Sequence, residues 1–80
     1  MARYTDTQSI AFDVYPLERS LIVEANGGSL VISAFDGENY VVSDTITEDS
    51  TSVLFTSGLR LQFAPADGAI YSIDESNRAS

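Results

Sequence analysis

Short apolar runs that alternate with polar residues at every second position are the feature that most limits the fold of this chain. The clearest run extends from Leu59 to Phe63, where Arg60 and Gln62 separate three apolar residues. Successive side chains of a β-strand point to opposite faces, so this alternation predicts strands that are buried on one face. Similar runs recur along the chain between glycine-containing turns. The pattern therefore predicts an all-β fold.

A chain of 80 residues has room for one domain. We predict a small antiparallel β-sandwich of six or seven short strands at residues 10–73. A flexible N-terminal arm at residues 1–9 precedes it, and a polar C-terminal tail at residues 74–80 follows it. The predicted strands are residues 10–15, 20–25, 29–35, 38–43, 53–56, 59–63 and 69–73, with a polar crossing at 44–52.

Two turn sequences predict hairpins in the first half of the chain. Asn-Gly-Gly at residues 26–28 lies between the second and third predicted strands, and Asp-Gly at residues 36–37 lies between the third and fourth. Asn-Gly favours a hairpin because both central residues of a type I′ turn have positive φ. The turn at 36–37 would place Val41 opposite Ile32. Strands two, three and four are therefore predicted to form one sheet.

Side-chain parity divides this predicted sheet into two faces in either plausible register. Val23 lies opposite Leu30 if Asn26 and Gly27 form the turn, and opposite Ile32 if the turn is one residue later. Both registers keep the same residues together, because side chains alternate with period two. One face holds Leu21, Val23, Leu30, Ile32 and Ala34. The opposite face holds Ile22, Val31, Phe35, Tyr40 and Val42.

The second of these faces is the candidate functional site. An antiparallel sheet with one side in water should be polar on that side, but this sheet is apolar on both. We therefore predict a subunit interface, covered by another copy of the chain. Its residues are Ile22, Val31, Phe35, Tyr40 and Val42. The alternatives are a different register or an N-terminal arm folded over the face.

Residue types that support most enzyme chemistry are absent. The chain has no histidine, cysteine or lysine, which excludes a histidine base, a Schiff base, a disulfide and thiolate metal sites. Acidic pairs occur at residues 48–49 and 74–75, and Asp36 and Glu38 share a turn. We interpret them as solvated loop residues without catalytic, metal or cofactor roles, although the last pair resembles part of a weak calcium site. The chain is predicted not to be an enzyme and to use no cofactor.

The charge also limits the possible partners. Twelve acids and four arginines give a net charge of −8. Nucleic acids and anionic membranes bind proteins through clustered Lys and Arg, so neither is an expected partner. The sequence has no long apolar run, and its start lacks the pattern of a signal peptide. We expect the protein to be made and kept in a cytoplasm, or to be assembled there into something larger.

Five segments of the sequence resemble small β-sandwich modules of bacteriophage virion proteins, such as head-decoration, capsid-fibre and tail-fibre modules. The resemblance covers somewhat over half of the chain and is architectural rather than chemical. It implies a structural protein, commonly a homo-oligomer on a capsid, and brings no catalytic residue with it. The segments are Gly-Ser-Leu-Val-Ile at 28–32, Asp-Gly at 36–37, Thr-Ile-Thr-Glu-Asp at 45–49, Gly-Leu-Arg-Leu-Gln-Phe-Ala-Pro at 58–65 and Gly-Ala-Ile-Tyr-Ser-Ile at 68–73.

Two functional hypotheses follow. The first is a capsid decoration or cement subunit of a virion, which associates with itself and binds the major capsid protein or another virion protein. The resemblance implies a trimer, because many decoration proteins occupy three-fold positions. The second is a small acidic inhibitor that mimics DNA to block a nucleic-acid-binding defence enzyme. The acids are spread along the chain, whereas a mimic would concentrate them on one face, so the first hypothesis is preferred.

Overall fold

The computed structural model describes residues 1–76, and within this range the chain is all-β without a helix. No helix that could span a membrane occurs there. The fold class predicted from the alternating pattern is confirmed, but the strand count of six or seven is wrong. The eight strands are β1 (Ala2–Tyr4), β2 (Gln8–Ala11), β3 (Glu18–Glu24), β4 (Ser29–Phe35), β5 (Tyr40–Ile46), β6 (Ser50–Phe55), β7 (Arg60–Ala66) and β8 (Ile70–Ile73).

The strands form two four-stranded antiparallel sheets. Sheet I has the order β1-β8-β3-β6, and sheet II has the order β2-β7-β4-β5. The pairs β4·β5, β3·β6, β2·β7 and β1·β8 follow the pattern of one long hairpin that closes at the β4–β5 turn. Two further pairings, β3·β8 and β4·β7, join these hairpin layers side by side. Rolling this hairpin up brings the two sheets together in a sandwich-like arrangement.

The core lies between the two sheets. Phe63 of sheet II stacks on Tyr71 of sheet I with ring centroids 5.4 Å apart, and both side chains are almost fully buried. The buried positions alternate along β3, β7 and β8, as the period-two pattern predicts. The buried cluster consists of Ile10, Phe12, Leu21, Val23, Leu30, Ile32, Leu61, Phe63, Tyr71 and Ile73.

Strand alternation creates two ends of the molecule. Turns at residues 5–7, 25–28, 47–49 and 67–69 lie at the upper end. The segments 12–17, 36–39, 56–59 and 74–76 lie at the lower end, and backbone hydrogen bonds join 12–17 to 56–59. Examples are the Thr56 N–H to the Leu17 carbonyl at 2.9 Å and the Gly58 N–H to the Asp13 carbonyl at 3.1 Å.

Both segments predicted to lie outside the sandwich contribute to the structure. Residues 1–9, predicted as an arm, contain β1 and the start of β2, and these add the strands that the sequence-based count missed. In the predicted tail, the Ser76 carbonyl accepts a hydrogen bond from the Arg19 guanidinium. Residues 77–80 of the tail lie outside the described residues. The predicted polar crossing at 44–52 is reduced to a turn at 47–49, because β5 extends to Ile46 and β6 begins at Ser50.

The hairpin predicted at residues 26–28 is wrong, although the turn itself forms. Asn26 and Gly27 both have positive φ, at 51° and 82°. The strands on either side then enter different sheets, because Ser29 pairs with Ala66 of β7. Gly28 makes this corner possible, since a Cβ there would collide with the backbone carbonyl of Ala66. The turn therefore connects the sheets rather than two paired strands.

The second predicted hairpin forms, with a shifted register. The Asp36 carboxylate accepts hydrogen bonds from the Glu38 and Asn39 N–H groups, each at 2.8 Å, and these bonds lower the pKa of Asp36. Val41 lies opposite Ala34, and not opposite Ile32 as predicted. A β-bulge in the middle of the β4–β5 pair adds a residue to β5, which sequence alternation alone does not reveal.

Candidate functional site

The predicted interface residues lie on two different surfaces of the molecule. Val31, Phe35, Tyr40 and Val42 share the outer face of sheet II. Ile22 lies on the outer face of sheet I, because β3 belongs to that sheet. Parity was therefore read correctly, since all five point away from the core. The assignment to one sheet was wrong, because it depended on the hairpin at 26–28.

We call the outer face around Val31, Phe35, Tyr40 and Val42 the sheet II surface. The side chains of Phe35 and Tyr40 are paired across β4 and β5, with ring centroids 5.1 Å apart. Val42 is 61% exposed, and Phe35 is 38% exposed. Ser33, the cross-strand partner of Val42, is only 6% exposed. The outer face thus combines exposed apolar side chains with a buried serine.

The sheet II surface is free of acids in a strongly acidic protein. Asp44 is the one acid in the described strands of sheet II, and it lies opposite the buried Ile32 rather than on the outer face. Arg60, at the outer side of β7, is the one charged residue among the outward positions of these strands. Nine of the twelve acids lie in turns and end segments instead. They are Asp6, Asp13, Asp36, Glu38, Glu48, Asp49, Asp67, Asp74 and Glu75.

The outer face of sheet I carries a second apolar group, Ile22, Val53 and Phe55, which we call the sheet I surface. Val53 and Phe55 on β6 are 61% and 60% exposed, and Ile22 is 40% exposed. Acids flank this group, since Glu18 pairs directly with Phe55 and Glu24 follows two residues after Ile22. Sequence reasoning missed Val53 and Phe55. Their i, i+2 spacing was the signal that could have found them.

The acidic pairs considered as catalytic or metal-binding sites serve local structure. The Asp49 carboxylate accepts a hydrogen bond from the Ala25 N–H at 2.8 Å. Asp74 accepts hydrogen bonds from the Ser76 side chain and N–H, which lower the pKa of Asp74. Glu75 accepts a hydrogen bond from the Tyr4 hydroxyl at 2.7 Å. Within residues 1–76, no three such side chains are grouped to hold a metal ion.

Two shallow depressions of the surface lie beside β6. One of about 440 Å³ is lined by residues 22–24 and 49–51, and another of about 360 Å³ follows the β5–β6 connection. Neither contains a buried nucleophile or a convergent set of polar groups of the kind that fixes a small substrate. The arrangement is suited to binding a flat surface or an extended chain.

No protein-family model matches the chain, no curated protein matches its sequence, and no solved structure matches its fold.

Proposed function

We propose that the protein is a non-enzymatic structural subunit of a virion, a capsid decoration or cement protein that associates with itself and binds the capsid through the sheet II surface. The observation that carries this proposal is the acid-free, partly apolar outer face of sheet II in a chain of net charge −8. A surface kept free of like charge can approach another protein closely. The acidic turns at both ends meanwhile keep the free subunit soluble.

The sheet II surface fits a partner of defined chemistry. Val42 and Phe35 provide apolar area, and burial of such area drives association. Arg60 at the edge of the face is the outward cation, so a neutral or acidic rim on the capsid protein would complement it. The surface is built on paired strands, so association requires little ordering of the chain. These features support binding of a capsid protein by burial of the sheet II surface.

The strand order adds support at the level of fold. We infer that the two sheets form a complete β-sandwich of the jelly-roll type, in which a rolled hairpin of eight strands forms two four-stranded sheets. Jelly rolls build viral capsid and lectin domains, among others. This agrees with the resemblance to bacteriophage virion modules.

The inhibitor hypothesis receives less support. A DNA mimic needs acids in a row on one face, at the spacing of phosphates. Here the acids of the turns divide between the two ends of the sandwich, with Asp6, Glu48, Asp49 and Asp67 at the upper end. The others lie at the lower end. The trimer implied by the resemblance stays a prediction.

Incorporation into particles tests the proposed function. Virions purified from cells that carry the gene should contain the unaltered chain. Val42→Asp should fold normally, because the side chain is mostly exposed, yet be depleted from particles, since it places an acid in the binding surface. Thr5→Asp is the control, with the same added charge in an exposed turn.

Quantitative mass spectrometry of the particles gives the answer, and circular dichroism checks the fold of each variant. Particles without the unaltered chain would overturn the virion assignment. Particles that take up Val42→Asp as well as Thr5→Asp would overturn the assignment of the sheet II surface.

A further inference from the structure

The four edge strands of the two sheets differ in how well they are protected against pairing with another chain. Exposed edges are commonly blunted by short length, charge or bulges. β1 has three residues including Arg3, and β2 has four residues. β5 contains the β-bulge and carries Asp44 toward the inner side. Three of the four edges therefore have a recognised form of protection.

β6 has none of these features. Its six residues, Ser50–Phe55, pair with β3 in one unbroken register and include no charged residue, proline or glycine. Every second residue of an edge strand directs its N–H and C=O groups away from the sheet. Among the described residues, no strand pairs with the outer side of β6. This edge is a ready template for another strand.

We propose that β6 pairs antiparallel with β6 of a second copy, so that the two sheets I join into one eight-stranded sheet across a two-fold axis. This inference identifies the contact that produces the self-association in the proposed function, and it rests on that part of it. The pairing is isologous, so it closes at a dimer, in contrast to the trimer that the resemblance implies, and leaves no β6 edge free.

Side-chain parity restricts the register of the pairing. Paired residues must point to the same face, so Val53 has to lie opposite an outward residue of the partner's β6. The register that centres the axis on Val53 places Val53 opposite its own copy and Phe55 opposite Thr51. Val53 and Phe55, the two most exposed apolar side chains of the sheet I surface, would then be brought together across the seam.

Charge favours the antiparallel direction. Glu48 and Asp49 precede β6, whereas residues 50–66 contain no acid. In the register centred on Val53, the two Asp49 residues are separated by eight positions along the seam, about 27 Å at a rise of about 3.4 Å per residue. This distance exceeds the Debye length of about 8 Å at physiological ionic strength. Parallel pairing would place the acidic turns side by side.

Cysteine cross-linking tests the proposed contact directly, because the natural chain has no cysteine. Directly opposed residues in an antiparallel pair have Cα atoms about 4.5–5.5 Å apart, within the range that a disulfide spans. We expect Val53→Cys to form a covalent dimer on mild oxidation at low micromolar concentration. Val42→Cys, which is equally exposed at 61% but lies on the sheet II surface, is the matched control and should remain monomeric on a denaturing gel.

Light scattering on the unaltered protein completes the test. We expect a mass of twice 8.6 kDa, and we expect Val53→Lys to be folded and monomeric because two ammonium groups would meet at the axis. A trimer, or cross-linking of Val42→Cys in place of Val53→Cys, would overturn β6 pairing and leave self-association intact. A monomer would overturn both β6 pairing and self-association. Capsid binding would then still be decided by the mass spectrometry of purified virions.

Discussion

The middle of the core and its lower end are stabilised by different interactions. In the middle, Phe63, Tyr71 and Leu21 pack apolar surface between the sheets. At the lower end, Arg19 is 1% exposed, and its guanidinium lies over the Phe12 ring at 4.5 Å. Both regions are equally shielded from water, but one is held by burial of apolar area and the other by hydrogen bonds.

The hydrogen bonds of Arg19 explain why a charged side chain can close the core. Its Nε and Nη2 atoms donate to the Ser76 carbonyl at 2.9 and 2.6 Å, and Nη1 donates to the Pro16 carbonyl at 3.3 Å. Nη1 also donates to the Thr56 hydroxyl, which is fully buried. One planar group thus joins β3 to three segments of the lower end. A buried polar group is tolerated when its hydrogen bonds are made in this way.

Removing apolar volume from the middle should have the largest effect. We expect Phe63→Ala to lower the free energy of unfolding by about 4 kcal/mol, since the fully buried ring leaves a cavity and Tyr71 loses its stacking partner. Natural domains have about 0.05–0.15 kcal/mol per residue of stability, so this loss could unfold a chain of this length. Urea unfolding followed by circular dichroism measures it.

Phe63→Leu is the control for this prediction. Leucine keeps most of the apolar volume and should cost about 1–2 kcal/mol. Equal losses for Phe63→Ala and Phe63→Leu would mean that ring stacking, rather than filled volume, holds the middle of the core.

Replacing Arg19 tests the lower end. We expect Arg19→Met to lower the free energy of unfolding by about 3 kcal/mol, because the Ser76, Pro16 and Thr56 acceptors lose their donor at about 1–3 kcal/mol for each one left buried. Methionine carries no charge, so the variant avoids the cost of burying the guanidinium. This gain offsets part of the stability lost with the three hydrogen-bond acceptors. Urea unfolding again provides the measurement.

Arg19→Lys separates the geometry of the guanidinium from its charge. An ammonium group cannot donate to acceptors on several sides in the planar arrangement of arginine, so most of the stability should still be lost. A Lys variant as stable as the unaltered chain would show that charge alone closes the lower end.

The difference between the two regions also explains what could be predicted from the sequence. Period-two alternation identifies Leu21 and Val23 as inward-facing, and both are buried. Arg19 has the same parity two positions earlier, but it lies one residue before the predicted strand at 20–25 and was assigned no place in the core. The alternation was the signal that could have placed it inside. Its partners come from segments distant in sequence, and no local pattern predicts such contacts.

The prediction that β3 and β4 belong to one sheet failed for a related reason. The Asn26 and Gly27 turn is equally compatible with a hairpin and with a corner between sheets, because the same positive φ values serve both. The distinction depends on whether Ser29 pairs with β7, a contact 37 positions away. The candidate site was affected accordingly: Val31, Phe35, Tyr40 and Val42 were grouped correctly by parity, while Ile22 was assigned to the wrong surface.

The smallest effect is expected from the hydroxyl of Tyr71, a polar group within the buried cluster. The Tyr71 hydroxyl donates to the Asp6 carbonyl at 3.1 Å, so Tyr71→Phe should cost about 1 kcal/mol near neutral pH. Burial raises the pKa of Tyr71 well above its ordinary value of 10.0, and the nearby Asp6 carboxylate adds to the increase. Above pH 10 the tyrosine of the unfolded chain loses its proton while that of the folded chain keeps it.

The unfolded state then binds fewer protons than the folded state, so stability must fall as the pH rises above 10. The contribution of this one group cannot exceed about 1.4 kcal/mol per pH unit. Tyr71→Phe should lack that contribution, so the stabilities of the two proteins should converge between pH 7 and pH 11. Urea midpoints across this range measure the difference, and a gap that stays constant would mean that the Tyr71 hydroxyl titrates equally in both states.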